Sequence, residues 1–74
     1  MQEGVAFEPN EVQLELLRWL IAGKRDPEIA QLTNTKPETV RVRVFRMLND
    51  MGANTRAGAV AIVLRDPRLR RKLS

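Results

Sequence analysis

Apolar residues recur at intervals of three and four along most of this chain, and Gly, Pro, Asn and Thr mark the breaks between the runs. That period belongs to helices with one buried face. The β-branched residues keep helical spacing or sit beside caps, so no strand is expected. The punctuation divides the chain into four helical segments.

The first helix is expected from near Asn10 to Gly23. Asn10 and Gln13 have the spacing of a capping box, and Gly23 suits a left-handed terminator. Leu16, Leu17 and Leu20 form its apolar face, with Val12 one turn earlier. Leu14, Trp19 and Ile21 make the helix apolar around much of its circumference, so some of them must be covered by more than the narrow inner face. The second helix is short, about Pro27 to Leu32. Asp26 is its expected N-cap and Pro27 its first residue, where a missing N–H costs nothing. Ile29, Ala30 and Leu32 are expected to point inward.

Thr33-Asn34-Thr35 then breaks the pattern, and a link of this length between two short helices is the helix-turn-helix connection. The third helix is expected from about Lys36 to Met51, with Thr35 and Glu38 as a capping box and Pro37 in its first turn. Val40, Val44, Met47, Leu48 and Met51 make the inner stripe, and Gly52 ends the helix. The fourth helix begins at a Thr55 cap and reaches Leu64 or Arg65, where Asp66-Pro67 breaks it. Residues 66–74 read as a basic tail. The resulting organisation is an N-terminal arm at 1–9, one helical domain at 10–65 and that tail.

Composition narrows the chemistry. The chain has 74 residues, with no Cys, His or Tyr. No disulfide, thiolate site or imidazole base is available, so an enzyme is not expected, and neither a cofactor nor a metal. The longest apolar stretch, Trp19-Leu20-Ile21-Ala22, is far short of the ~20 residues needed to cross a bilayer. Met1-Gln2-Glu3-Gly4 lacks the basic start of a secretory signal, so the expected location is cytoplasmic, at the nucleoid.

Charge adds a direction. Residues 1–35 carry three Lys or Arg against six acids, and residues 36–74 carry ten against three. A basic half of this kind suits a polyanion. Opposite its inner stripe, the third helix offers Glu38, Thr39, Val42, Arg46 and Asn49, with Phe45 at the edge and Arg41 and Arg43 on the flanks. Those groups match base edges: Arg pairs with guanine, Asn with adenine, and Val or Phe touches a thymine methyl. Flanking arginines suit phosphates. Val42 and Phe45 form an i, i+3 apolar pair on the side where water would otherwise be their partner. Glu38 is expected to serve the Thr35 cap, with a cytosine amino group as the other partner open to it. Lys24 and Arg25 precede the second helix, whose free amides suit a phosphate. The fourth helix, small and smooth at Ala57, Gly58, Ala59 and Ala61, can close the core, form a dimer, or do both. Arg65, Arg68, Arg70, Arg71 and Lys72 can grip phosphates or simply keep a disordered tail soluble.

The segment Gly23-Lys24-Arg25-Asp26-Pro27-Glu28-Ile29-Ala30 resembles the G-x-[ST]-x-x-E-I-A stretch of the LuxR/GerE-type helix-turn-helix. Thr39-Val40-Arg41-Val42-Arg43-Val44 follows at the family's spacing and resembles T-V-[KR]-x-H-[VL]. Leu48, Gly52 and Thr55-Arg56-Ala57-Gly58-Ala59-Val60 resemble its L-x-x-x-G-x-x-x-R-x-x-A-V ending. The resemblance runs from about Asn10 to Ile62. It implies an all-α, four-helix helix-turn-helix domain of the winged-helix-like superfamily, without a β wing. The third helix would enter the major groove of double-stranded DNA, and the fourth would form a homodimer. Arg43 stands where the family usually has His, Phe45 where a polar or basic residue is common, Thr33 and Thr35 at apolar turn positions, Lys36 in place of a Ser cap, and Asp50 where Lys is common. Sigma-factor region 4 shares the E-I-A and T-V-[KR]-x-R elements, but not the Gly52 and Thr55–Val60 segment.

These readings converge on a transcriptional regulator. Arg41, Val42, Phe45, Arg46 and Asn49 are the expected base readers; Lys24, Arg25, Lys36, Thr39, Arg43 and Arg56 the expected backbone contacts; and Ala57, Ala59, Val60, Val63 and Leu64 the expected dimer interface. Only about nine residues precede the first helix, so either no sensor is built in or the chain is an excised piece. The competing reading is a protein-binding module that pairs with a larger LuxR-type regulator and blocks it.

Overall fold

In a computed structural model, residues 7–74 are described, and they form five helices with no strand. The helices are α1 (Glu11–Ile21), α2 (Asp26–Leu32), α3 (Pro37–Met51), α4 (Arg56–Arg65) and α5 (Pro67–Leu73). Most of the arm expected at residues 1–9 lies outside the described residues, which begin at Phe7.

Local chemistry explains most boundaries. The Asn10 side chain accepts from the Gln13 N–H at 2.8 Å, and Gln13 Oε1 accepts from the Asn10 N–H at 3.0 Å. Both bonds of the expected capping box are therefore made. Gly23 (φ 81°) and Gly52 (φ 74°) take the left-handed conformation just after α1 and α3, where a side chain would be strained. The turns close with Lys24 N–H to the Trp19 carbonyl and Ala53 N–H to the Leu48 carbonyl, each at 2.9 Å. Thr55 caps α4 by accepting from the Gly58 N–H at 2.9 Å.

Two expected caps are not made. Asp26 is not the N-cap of α2 but its first residue, and Arg25 occupies the cap position. The backbone N–H of Arg25 is held instead by the Glu28 carboxylate at 2.8 Å. The capping box of Thr35 and Glu38 is also absent: Lys36 is the N-cap of α3, without a side-chain bond. Thr35 is engaged backward. The Thr33 hydroxyl donates to the Ile29 carbonyl at 2.7 Å, and the Thr35 hydroxyl meets Thr33 Oγ1 at 2.9 Å. Asn34 supplies the left-handed residue of this turn (φ 55°), a conformation Asn tolerates well.

The core draws on all five helices. Leu16, Leu17 and Leu20 of α1 meet Ile29 and Ala30 of α2, Val40, Val44 and Met47 of α3, Val63 of α4 and Leu69 of α5. Leu48 and Met51 pack against its edge, as do Phe7 and Trp19. The helix α2 packs chiefly on α3, α4 on α5, and α1 touches α3, α4 and α5. Val12 and Leu32, expected to face inward, are exposed, as is Ile21.

The described residues thus form five helices where four were expected, and the tail is the reason. Asp66 ends α4 and starts α5, its carboxylate accepting from the Arg68 N–H at 2.9 Å. Pro67 follows at the first helical position, where it is best tolerated. Leu69 is fully buried, Leu73 packs at the core edge, and Arg18 Nη2 donates to the Lys72 carbonyl at 3.2 Å. The segment read as a tail is a packed element.

Candidate nucleic-acid interface

Burial splits α3 into two faces. Val40, Val44 and Met47 lie in the core, which fixes the rotation of the helix about its axis. That rotation turns Glu38, Arg41, Val42, Arg43, Phe45, Arg46 and Asn49 into solvent, with Thr39 half-buried beside them. Phe45 is 71% exposed and Val42 45% exposed, high values for apolar side chains in a small domain. All five expected base readers are therefore surface residues of one helix.

The electrostatics of this face are simple. Among the described residues, the ion pairs are Arg56 with Asp26, Arg68 with Glu8, and Arg68 with Asp66. None involves Arg41, Arg43 or Arg46. Two shallow grooves run along the exposed side of α3. One is lined by Glu38, Thr39, Val42, Arg43 and Arg46. The other lies between Phe45, Leu48 and Asn49 on the helix and Ala53 and Asn54 beyond it. Asn54 was not singled out in the sequence. The left-handed turn at Gly52 returns the chain beside the last turn of α3 and brings Asn54 next to Phe45 and Asn49.

The expected backbone contacts fall into separate groups. Lys24, Arg25 and Arg56 come together around an open cleft of about 600 Å³ between the end of α1, the start of α2 and the start of α4. Lys36 is exposed at the start of α3, next to Thr39 and Arg43 on that helix. Arg56 is the exception to an unpaired cationic set. Its guanidinium is bonded to the Asp26 carboxylate, thirty residues earlier. The position that the family resemblance assigns to the DNA backbone is thus internally neutralised, and Asp26, expected as a cap, is its partner.

The expected dimer interface requires a larger correction. Ala59 and Val63 have no surface to offer, being 0% and 1% exposed within the single chain. Both are buried, Val63 within the core cluster, and α5 packs on α4. Ala57 and Leu64 are exposed, and Val60 is half-buried against the core. Gly58 serves a local need: a Cβ there would stand 3.1 Å from the capping Thr55 hydroxyl.

Comparison with known protein families, curated proteins and solved structures returned no match for this chain. Among the described residues, no helix is long and apolar enough to cross a membrane.

Proposed function

We propose that this chain is a sequence-specific DNA-binding regulator of transcription that lays α3 in the major groove of double-stranded DNA. The observation that supports this most is the exposed pair Val42 and Phe45, set among Arg41, Arg43 and Arg46, which form no ion pair among the described residues. An apolar strip bordered by unpaired guanidinium groups suits a groove floor carrying thymine methyls and guanine edges between two rows of phosphate. Arg41 and Arg43 stand on opposite flanks, Arg43 as the candidate for a phosphate row and Arg41 as a reader of the base edge on its side. Arg46 and Asn49 lie nearer the centre, among the base readers.

The proposed assembly is a homodimer through the exposed part of α4, where Ala57, Val60 and Leu64 remain available. Two copies would read two half-sites, as helix-turn-helix dimers do. The setting is cytoplasmic, at the nucleoid.

Selection of bound sequences from a random DNA pool, followed by titration at several salt concentrations, tests the reading. A single enriched site is expected, with binding that weakens steeply with salt. The four cations expected at the backbone and left unpaired, Lys24, Arg25, Lys36 and Arg43, correspond to a slope of about −3.6 per bound chain in log K against log salt. Loss of all binding at low salt would sink the DNA reading. The alternative is then pairing with a larger regulator, for which exposed Ile21 and Leu64 are the apolar contacts on offer.

A further inference from the structure

Beyond its place in the first turn of α3, where a carboxylate favours the helix start, Glu38 has no bonded side-chain partner among the described residues. Its expected capping partner, Thr35, is turned back toward Thr33, and α3 begins without that box. Among the described residues no ion pair engages its carboxylate, although Arg41 lies three positions further on. Instead Glu38 is exposed and lines a groove with Val42 and Arg46, in one row at i, i+4 and i+8 along α3. This places an acceptor, an apolar contact and a cationic donor in sequence on the side turned away from the core.

We infer that Glu38 is a specificity-determining residue that selects cytosine through its exocyclic amino group. The inference rests on the DNA-binding reading above. In the major groove cytosine presents the N4 amino donor, whereas guanine and thymine present acceptors and adenine sets an acceptor beside its donor. A carboxylate accepts from the first, is repelled by guanine and thymine, and meets adenine's donor only beside an acceptor that opposes it. The same carboxylate is repelled by every phosphate, so it lowers affinity for DNA in general while sharpening choice. Val42, one turn along, packs on the edge of the same or the adjoining pyrimidine, and Arg46 donates to a guanine further on. The selected half-site therefore holds a cytosine whose identity depends on Glu38.

The test is sequence selection from a random DNA pool with the wild-type chain, Glu38→Gln and Glu38→Ala, with helical content measured by circular dichroism for all three. The wild type is expected to prefer cytosine at one position by roughly tenfold over other bases. Both variants are expected to lose that preference, keep the rest of the site, and bind random DNA more tightly than the wild type. If Glu38 only favours the start of α3, both variants lose helical stability while the selected site stays the same; that result overturns the inference. A wild type that binds well and selects no cytosine overturns it too, with the DNA reading left standing. A wild type that binds no DNA overturns both.

Discussion

Two arginines of the α4–α5 half, Arg56 and Arg68, and the three of α3 have the same chemistry and opposite fates. Arg56 and Arg68 are held by carboxylates, Arg56 by Asp26 and Arg68 by Asp66 and Glu8. Arg41, Arg43 and Arg46 have no such partner among the described residues. The apolar residues divide in the same way. In α4 and α5, Ala59, Val63 and Leu69 are spent on the core, while α3 leaves Val42 and Phe45 in solvent. A positive half is therefore not a uniform binding surface. Arg56 and Arg68 are neutralised, and Ala59, Val63 and Leu69 are buried to complete the domain, whereas the α3 arginines, like Arg65, Arg70 and Arg71, have no ion pair among the described residues.

The largest effect that checks this division is on stability. Leu69→Ala removes a fully buried side chain from a domain with few others, and its cost is about 2–5 kcal/mol. Urea or thermal unfolding should show a chain that is largely unfolded or close to it. A loss below about 0.5 kcal/mol would return residues 66–74 to the status of a tail.

The next effect is on recognition. Phe45→Ala and Val42→Ala should each weaken binding to the selected site by about 1–3 kcal/mol. Neither should change unfolding by more than about 0.5 kcal/mol, since both side chains are exposed. Fluorescence anisotropy alongside thermal unfolding separates the two. A fall in stability with binding unchanged would place Val42 and Phe45 on the structural side of the comparison.

A smaller contrast concerns the charges. Arg43→Ala should reduce the salt slope of DNA binding by about one, as one phosphate contact is lost. Arg56→Ala should leave the slope nearly unchanged and lower stability by under about 1 kcal/mol, because the Arg56–Asp26 pair is partly exposed. Equal slopes for the two variants would erase the distinction between paired and unpaired arginines.

The smallest effect is pH-dependent. Desolvation acts to raise the Asp66 carboxyl, but hydrogen bonds from the Arg68 and Leu69 backbone and the Arg68 charge outweigh it and hold the group below its ordinary value. A carboxyl whose folded value is depressed stabilises the fold above its unfolded value, near 3.8. That contribution is lost as pH falls below this value through the folded one. Asp66→Asn should flatten the acid limb of the stability profile slightly below about pH 4. An unchanged acid limb would show that the α4–α5 junction does not depend on this charge.

Most of the fold was legible in the residues because its signals are local. Asn10 with Gln13, Gly23, Gly52 and Thr55 act on backbone groups within a few positions, and each stands where its chemistry placed it. The period of Val40, Val44 and Met47 set the inner face of α3, and with it the exposed face that carries the candidate site. Where several local partners compete, the sequence was a poorer guide. Thr35 had two neighbours within reach, Glu38 ahead and Thr33 behind, and their spacing alone does not choose between them.

What the chain determined by itself, then, is where helices start and stop and which side of α3 is apolar, because caps and periodicity are short-range. Only the tertiary structure decided which groups remain available to a partner. The Asp26–Arg56 pair joins the starts of α2 and α4, and no spacing rule connects positions thirty residues apart. Leu69 turns a basic tail into a fifth helix because the packed helices offer its side chain a site away from water, worth about 1.5–3 kcal/mol when filled. That same packing turns Ala59 and Val63 inward and leaves Leu32 and Leu64 outside, since burial depends on which neighbours arrive as well as on a helix's own pattern.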